Sequence, residues 1–209
     1  MRFMAFEEMN IGLAPVWCGR VTFTGDLGYE LWMPARYQRY VYEVLLDAGE
    51  AFGMRMFGLH ALNSLRLEKS FGGWAREYRP IYDPFEANLG RFIRMEKDFI
   101  GRDALAAKYA DGGPGAERAL LTFTVESDAG RDGVDVIGDE PIWHGGEVVG
   151  WVTSGGYAHH SETSVAMGYV SAELADSDGP WEIEVVGVMR AATKVDGCIW
   201  DPEADRMRS

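Results

Sequence analysis

One short run divides this chain. Asp111-Gly112-Gly113-Pro114-Gly115 holds three glycines and a proline in five residues, so neither a helix nor a strand passes through it comfortably. Before it, strand and helix periods alternate. After it come only short strands and turns. Residues 1–110 therefore read as an α+β part, 111–117 as a linker, and 118–209 as an all-β part. A chain of 209 residues can bury a real core in one large or two small domains.

In the first part, residues 18 to 33 read as a β-hairpin. Arg20 to Thr24 alternates in character, as does Tyr29 to Met33, and Gly25-Asp26-Leu27-Gly28 supplies the turn. In the second strand Glu30 and Trp32 share one face, and Tyr29, Leu31 and Met33 share the other. Residues 35 to 52 have the spacing of an amphipathic helix, from Tyr37 through Val41 and Leu45 to Phe52, with Gly53 as its stop. A second helix runs from about Leu59 to Lys69. Leu59, Leu62 and Leu65 mark its apolar stripe, and Arg66 falls on that stripe. Residues 74 to 97 look irregular, with a short helix near Glu86 to Leu89. A further helix opens around Phe99 to Leu105.

The second part reads as strands over Ala119 to Val125, Glu140 to Trp143, Glu147 to Thr153, Ser164 to Val170, Trp181 to Val188 and Ala192 to Val195. Gly145-Gly146 makes a hairpin turn, and Ser154-Gly155-Gly156-Tyr157 reads as another turn. Short strands with turn signals between them indicate a small barrel or sandwich.

The formal net charge of -13 argues against a nucleic-acid partner, whose phosphates need a basic footprint. No apolar run approaches a membrane span, so a cytoplasmic protein with no membrane contact is expected. The two cysteines, Cys18 and Cys198, form no CxxC pair and read as reduced. No metal is expected: His159-His160 lacks a third ligand at useful spacing. GxSxG, HExxH and phosphate-loop patterns are absent.

Four residues remain as candidates. Glu30 sits mid-strand beside a glycine turn; on pattern alone it faces water, and a ligand contact is the alternative. Arg66, on an apolar stripe, must find partners. It reads either as half of a salt bridge to Glu68, Glu30 or Glu86, or as a guanidinium fork holding a ligand carbonyl or carboxylate. Trp74 and Trp200 read as core packing, with a stacking face for a flat ligand as the other reading.

Several motifs in order then resemble one family. Thr24-Gly25-Asp26-Leu27-Gly28-Tyr29-Glu30, Gly58 to Lys69, Ser70 to Pro80, Asp98 to Leu105, Gly150 to Tyr157 and the ending through Trp200-Asp201-Pro202 look like the folate-dependent aminomethyltransferase family, typified by the glycine cleavage T-protein. Ser70 to Pro80 is most similar to the C-terminal folate-binding region of dimethylglycine and sarcosine dehydrogenases. The resemblance implies an aminomethyltransferase folate-binding domain without its N-terminal part, followed by a small C-terminal β-barrel. It implies tetrahydrofolate as cofactor, with Glu30 and Arg66 holding the pterin and Trp74 and Trp200 packing on it. It implies transfer of a one-carbon unit from an amine-derived donor. Two departures accompany it. Asp26 stands where the family commonly has Glu, and the family's catalytic aspartate has no counterpart here, so no catalytic residue is nominated. A homo-oligomer, or a partner chain supplying the missing N-terminal half, is expected. Two other functions stay open: a non-catalytic structural or interaction subunit of a multi-subunit amine oxidase, and a folate-dependent demethylase of another methylated metabolite.

Overall fold

The computed structural model describes residues 1–126 and 133–209. The chain opens with a three-stranded antiparallel sheet, β1 (Phe6–Ile11), β2 (Ala14–Gly19) and β3 (Glu30–Trp32), in that spatial order. Ala35–Tyr37 forms a 3-10 turn that leads into α1 (Gln38–Glu50), and α2 (Leu59–Glu68) follows. One face of the sheet carries Ala14 and Val16, which bury against Val41 of α1 together with Met9, Ile11 and Leu31. Alternation places Phe6, Trp17, Glu30 and Trp32 on the opposite face. There Phe6 stacks on Trp17 at 5.4 Å and tilts against Trp32 at 4.9 Å, and all three stay about half exposed.

The hairpin expected over residues 18 to 33 exists, but its strands are shorter. Cys18 pairs with Leu31 and Gly19 with Glu30, and residues 20–29 form the loop. The loop has its own hydrogen bonds: Gly25 N donates to the Thr22 hydroxyl, and the Arg20 guanidinium donates to the carbonyls of Met1 and Ser209. These compete with extending the ladder to Thr24. The strand β1 carries no strong alternation and was not foreseen.

The stripe expected on α2 is also different. Leu59 is 81% exposed, whereas Leu67 is fully buried against Leu120, Val165, Met167 and Tyr169 of the barrel. The helix is docked by its C-terminal half. Ser64 Oγ donates to the Tyr157 carbonyl at 2.7 Å, and Glu68 accepts from His160 N and Ser161 Oγ.

No helix forms at Glu86 to Leu89. The Asp83 carboxylate accepts from the backbone N–H of Phe85 and Glu86, and Asn88 takes φ 57, so the segment turns instead. A single 3-10 turn, Gly90–Phe92, comes next, and α3 (Arg102–Lys108) begins beyond Gly101. Lys108 and Tyr109 reach back to Asp83, and Glu86 accepts from the N–H of Glu117 and Arg118. This ties the irregular stretch to the start of the barrel.

The barrel is closed. Its strands are β4 (Arg118–Val125), β5 (Pro141–His144), β6 (Glu147–Ala158), β7 (Thr163–Ser171), β8 (Trp181–Val185) and β9 (Val188–Lys194), in the order β4-β7-β6-β5-β8-β9, with β9 pairing back onto β4. Phe123, Ile142, Val152 and Ile183 are fully buried in its interior. Each such side chain stabilises the fold by about 1.5–3 kcal/mol relative to exposure. Two details differ from the sequence reading. Trp181 to Val188 is not one strand: Val186 and Gly187 both take positive φ, giving a two-residue hairpin between β8 and β9. Ser154 to Tyr157 is not a turn but the second half of β6, paired with β7 through Tyr157 opposite Ser164. A short α4 (Asp205–Arg208) ends the chain. Among the described residues no helix is long and apolar enough to cross a membrane.

Candidate functional site

The docking of α2 on β6 leaves a cavity of about 490 Å³ between them, closed on a third side by residues 135–137. Gly155 makes this approach feasible. A Cβ on Gly155 would stand 2.5 Å from the Val136 carbonyl oxygen, so the 135–137 segment lies directly against bare backbone. A Cβ on Gly156 would stand 3.4 Å from Leu67 Cδ1, an ordinary contact. The glycines that look like turn chemistry are therefore a strand stripped of side chains where other elements come close.

Arg66 lies in the cavity wall and is 4% exposed. Its Nε and Nη2 both donate to Asn63 Oδ1, at 2.9 and 2.7 Å. Its Nη1 donates to the Phe71 carbonyl at 3.0 Å and to Glu77 Oε2 at 3.2 Å. Four of the five N–H groups of a guanidinium are thus committed inside the protein. Burial pulls the Arg66 guanidinium below its usual value, and the neighbouring Glu77 opposes that.

Glu77 is the partner that sequence reasoning missed. It is fully buried and accepts two hydrogen bonds on each oxygen. Oε2 takes Gly73 N at 2.6 Å and Arg66; Oε1 takes the hydroxyls of Thr153 and Ser154, each at 2.6 Å. A buried carboxylate is tolerable only when its lone pairs are met in this way. The partners expected for Arg66, namely Glu30, Glu68 and Glu86, are all engaged elsewhere or exposed. Glu77 lies eleven residues past Arg66 in an irregular loop, where no periodicity announces a burial. The nearest signal was Gly72-Gly73, which lets the loop fold back so that Gly73 N reaches Glu77.

The other candidates do not join Arg66 in this cavity. Glu30 is exposed on the open face of the sheet, beside the aromatic trio, and its carboxylate has no hydrogen-bond partner among the described residues. Trp74 is 80% exposed. Trp200 is half-buried, edge-on to His160 at 3.7 Å, and its backbone is tied to α2: its N–H donates to the Glu68 carbonyl and its carbonyl accepts from Lys69 Nζ. The rest of the cavity wall includes His60, Asn63, Arg76, Asp135, Tyr157 and His159. Of the cysteines, Cys18 is buried and Cys198 half-buried, and burial pushes the Cys198 thiol up. Among the described residues no group of three or more His, Cys, Asp or Glu could hold a metal ion.

Comparison with known proteins gives a consistent picture. Residues 1–97 match the GCVT N-terminal domain, and residues 118–201 match the glycine cleavage T-protein C-terminal barrel domain. Mitochondrial dimethylglycine dehydrogenase of Mus musculus is 37% identical over 92% of this chain. The mitochondrial pyruvate dehydrogenase phosphatase regulatory subunit of Mus musculus is 32% identical over 87% of it. This chain spans 22% of the length of each. The crystal structure of glycine cleavage system aminomethyltransferase T from Bartonella henselae has the same fold over 94% of this chain, with a TM-score of 0.76 and 24% identity. This chain covers 52% of that one.

Proposed function

Because the chain belongs to the glycine cleavage T-protein family, carrying residues of both its N-terminal and its C-terminal barrel domain, we propose that it is the tetrahydrofolate-handling part of an aminomethyltransferase-type or dimethylglycine dehydrogenase-type transferase. The observation that carries this reading is the donor-lined cavity walled by Arg66, about 490 Å³ in size. Small-ligand sites usually run from about 300 to 1,000 Å³.

The residues fit tetrahydrofolate. The cofactor combines a ring edge of N–H donors with carbonyl and carboxylate acceptors. Glu30, exposed and without a partner among the described residues, is a carboxylate free to accept from that donor edge, and it shares a sheet face with three aromatic rings. The cavity wall includes residues that carry donors: Arg66, Asn63 and Tyr157. Trp74 and Trp200, both beyond α2 in sequence, are exposed and half-exposed stacking faces. When bound, tetrahydrofolate supplies the nitrogen that accepts the one-carbon unit. The chain's own contribution is orientation: Glu77 holds Arg66, which lines the cavity with one N–H uncommitted. The group that moves protons, the donor and the complete activity belong to the whole enzyme, of which this chain is proposed to be one part. Its compartment in this reading is the cytoplasm, although both mouse relatives are named mitochondrial.

Anaerobic calorimetric titration with tetrahydrofolate tests the proposal. Micromolar binding weakened at least about tenfold by Glu30→Ala is expected. Glu30 is exposed, so this change leaves the fold intact. No binding by the folded chain overturns the reading.

A specific observation supports a second function, an interaction subunit without catalysis. Phe6, Trp17 and Trp32 form an uncovered aromatic face, Phe52, Met56, Phe57 and Leu59 are all more than half exposed, and one relative is named a regulatory subunit. Sedimentation of the wild type against Trp17→Ser/Trp32→Ser distinguishes it: an assembly that dissociates in the variant, together with absent folate binding, favours this reading.

A further inference from the structure

We infer that the cavity between α2 and β6 is a carboxylate-binding subsite whose binding residue is Arg76. The inference rests on the folate reading only for one of its two ligand sources.

Among the described residues two arginines line this cavity, and they are in different states. Arg66 is largely committed: four of its five N–H groups are taken by Asn63, Phe71 and Glu77. Arg76 is not. Among the described residues it makes one hydrogen bond, from Nη1 to the Thr153 carbonyl at a long 3.4 Å, and no ion pair within 4 Å. That one bond draws the guanidinium to the middle of β6, while Nη1 would stand 3.1 Å from a Cβ on Gly138. Gly138 therefore keeps the approach to Arg76 clear.

Around Arg76 the wall is rich in donors. His60 and His159 come from α2 and from the end of β6, and the Asn63 amide faces the same space. Among the described residues the single carboxylate in the wall is Asp135, which forms no ion pair with Arg76. In a chain of net charge -13, an arginine standing in a cavity without a carboxylate partner among the described residues is a place of local positive potential. A guanidinium whose Nε–Nη2 edge has no acceptor among the described residues binds a carboxylate through two parallel hydrogen bonds, a geometry lysine does not reproduce. The ligand class is an aliphatic carboxylate on a small organic molecule. It has two sources consistent with the reading above: the glutamyl end of a folate, or an N-methylated amino acid serving as one-carbon donor.

The test is titration of the full chain and of Arg76→Gln, Arg76→Lys and Asp135→Asn with four probes: tetrahydrofolate, tetrahydropteroate (which lacks the glutamyl group), N-acetylglutamate and N,N-dimethylglycine. Arg76 is exposed, so Arg76→Gln is expected to fold, as circular dichroism checks. At least one carboxylate probe is expected to lose about tenfold or more in affinity with Arg76→Gln and to recover only partly with Arg76→Lys. Asp135→Asn is expected to strengthen it, by removing a like charge. If tetrahydrofolate weakens and tetrahydropteroate does not, the glutamyl group is the ligand. If dimethylglycine weakens and folate does not, the donor is. If carboxylates depend on Arg76 while tetrahydrofolate never binds, this inference stands and the folate reading falls. If tetrahydrofolate binds and Arg76→Gln changes no probe, the folate reading stands and this inference is overturned. If nothing binds the folded chain, both fall.

Discussion

The barrel and the part that precedes it treat the edges and faces of a sheet in opposite ways. The barrel pairs β9 with β4, leaves no edge, and turns Phe123, Ile142, Val152 and Ile183 inward. The first sheet stops at three strands. One face is covered by α1, and the other shows Phe6, Trp17 and Trp32 to solvent. The barrel is thus held by its own interior. The first part is held largely by what it attaches to: Leu67 and the Arg66–Glu77 pair on the barrel, and the Asp83–Lys108 clasp at the barrel's entrance. The proposed site falls where the two parts meet. The cavity lies at the seam, on a rigid wall supplied by the barrel and beside a helix whose position depends on buried polar bonds.

Several changes would break or sharpen this contrast. The largest effect belongs to the barrel interior. Phe123→Ala is expected to destabilise by about 3–5 kcal/mol, because a fully buried ring leaves a cavity in a closed structure. Chemical denaturation followed by tryptophan fluorescence measures it, and a loss under about 1 kcal/mol would contradict a barrel held by its interior.

Glu77→Ala is expected to cost about 3 kcal/mol, since it strands the Arg66 charge in a buried site. The double change Glu77→Leu/Arg66→Met should recover much of that loss in the same denaturation experiment. Additive losses would mean that the pair does not hold the seam.

A subtler comparison sits within β6. Gly155→Ala is expected to cost about 1–3 kcal/mol, because its methyl meets the Val136 carbonyl, whereas Gly156→Ala meets only a leucine methyl at contact distance and should cost much less. Equal melting temperatures for the two variants would argue against the close approach of residues 135–137.

The smallest effect is pH-dependent and concerns the clasp. Burial tends to raise the Asp83 carboxyl, but the hydrogen bond from Lys108 and the N–H groups of Glu86 and Phe85 outweigh it and hold Asp83 below its ordinary value. Glu86 is lowered in the same way against burial. A carboxylate with a lowered folded value contributes stability that is present above its unfolded value and lost as pH falls through the folded one. The hydrogen bond to Asp83 raises Lys108, whose contribution is therefore complete below its ordinary value and lost only at strongly alkaline pH. Thermal melts from pH 6 down to pH 3 should fall less steeply in Asp83→Asn than in the wild type. Parallel curves would remove the clasp from the account.

The sequence revealed the barrel better than the site. Barrel strands alternate because one face is buried, so β4, β5 and β7 could be read within a residue or two. The errors fell where glycine or a polar side chain serves a tertiary contact. Gly155 and Gly156 looked like a turn, yet they thin a strand for α2 and residues 135–137. Leu59, Leu62 and Leu65 looked like the apolar stripe of α2, yet Leu59 is exposed and the helix docks through Leu67 at its far end. Arg66 was legible as a buried charge, because an arginine on an apolar helix needs partners. Its partner was not, because Glu77 reaches it through a loop fold that local pattern does not encode. Glu30 and Trp32 were placed on one strand face, but nothing in the pattern revealed the stack with Phe6 and Trp17 across β1 and β2.

The most direct measurement is amide hydrogen exchange of the full chain with and without tetrahydrofolate under anaerobic conditions. The account expects added protection over β3, α2 and the loop to Tyr78, together with the part of β6 from Thr153 to Tyr157, and unchanged exchange in β8 and β9 on the far side of the barrel. Protection confined to β8 and β9, or none at all in a folded chain, would contradict a folate site at the seam.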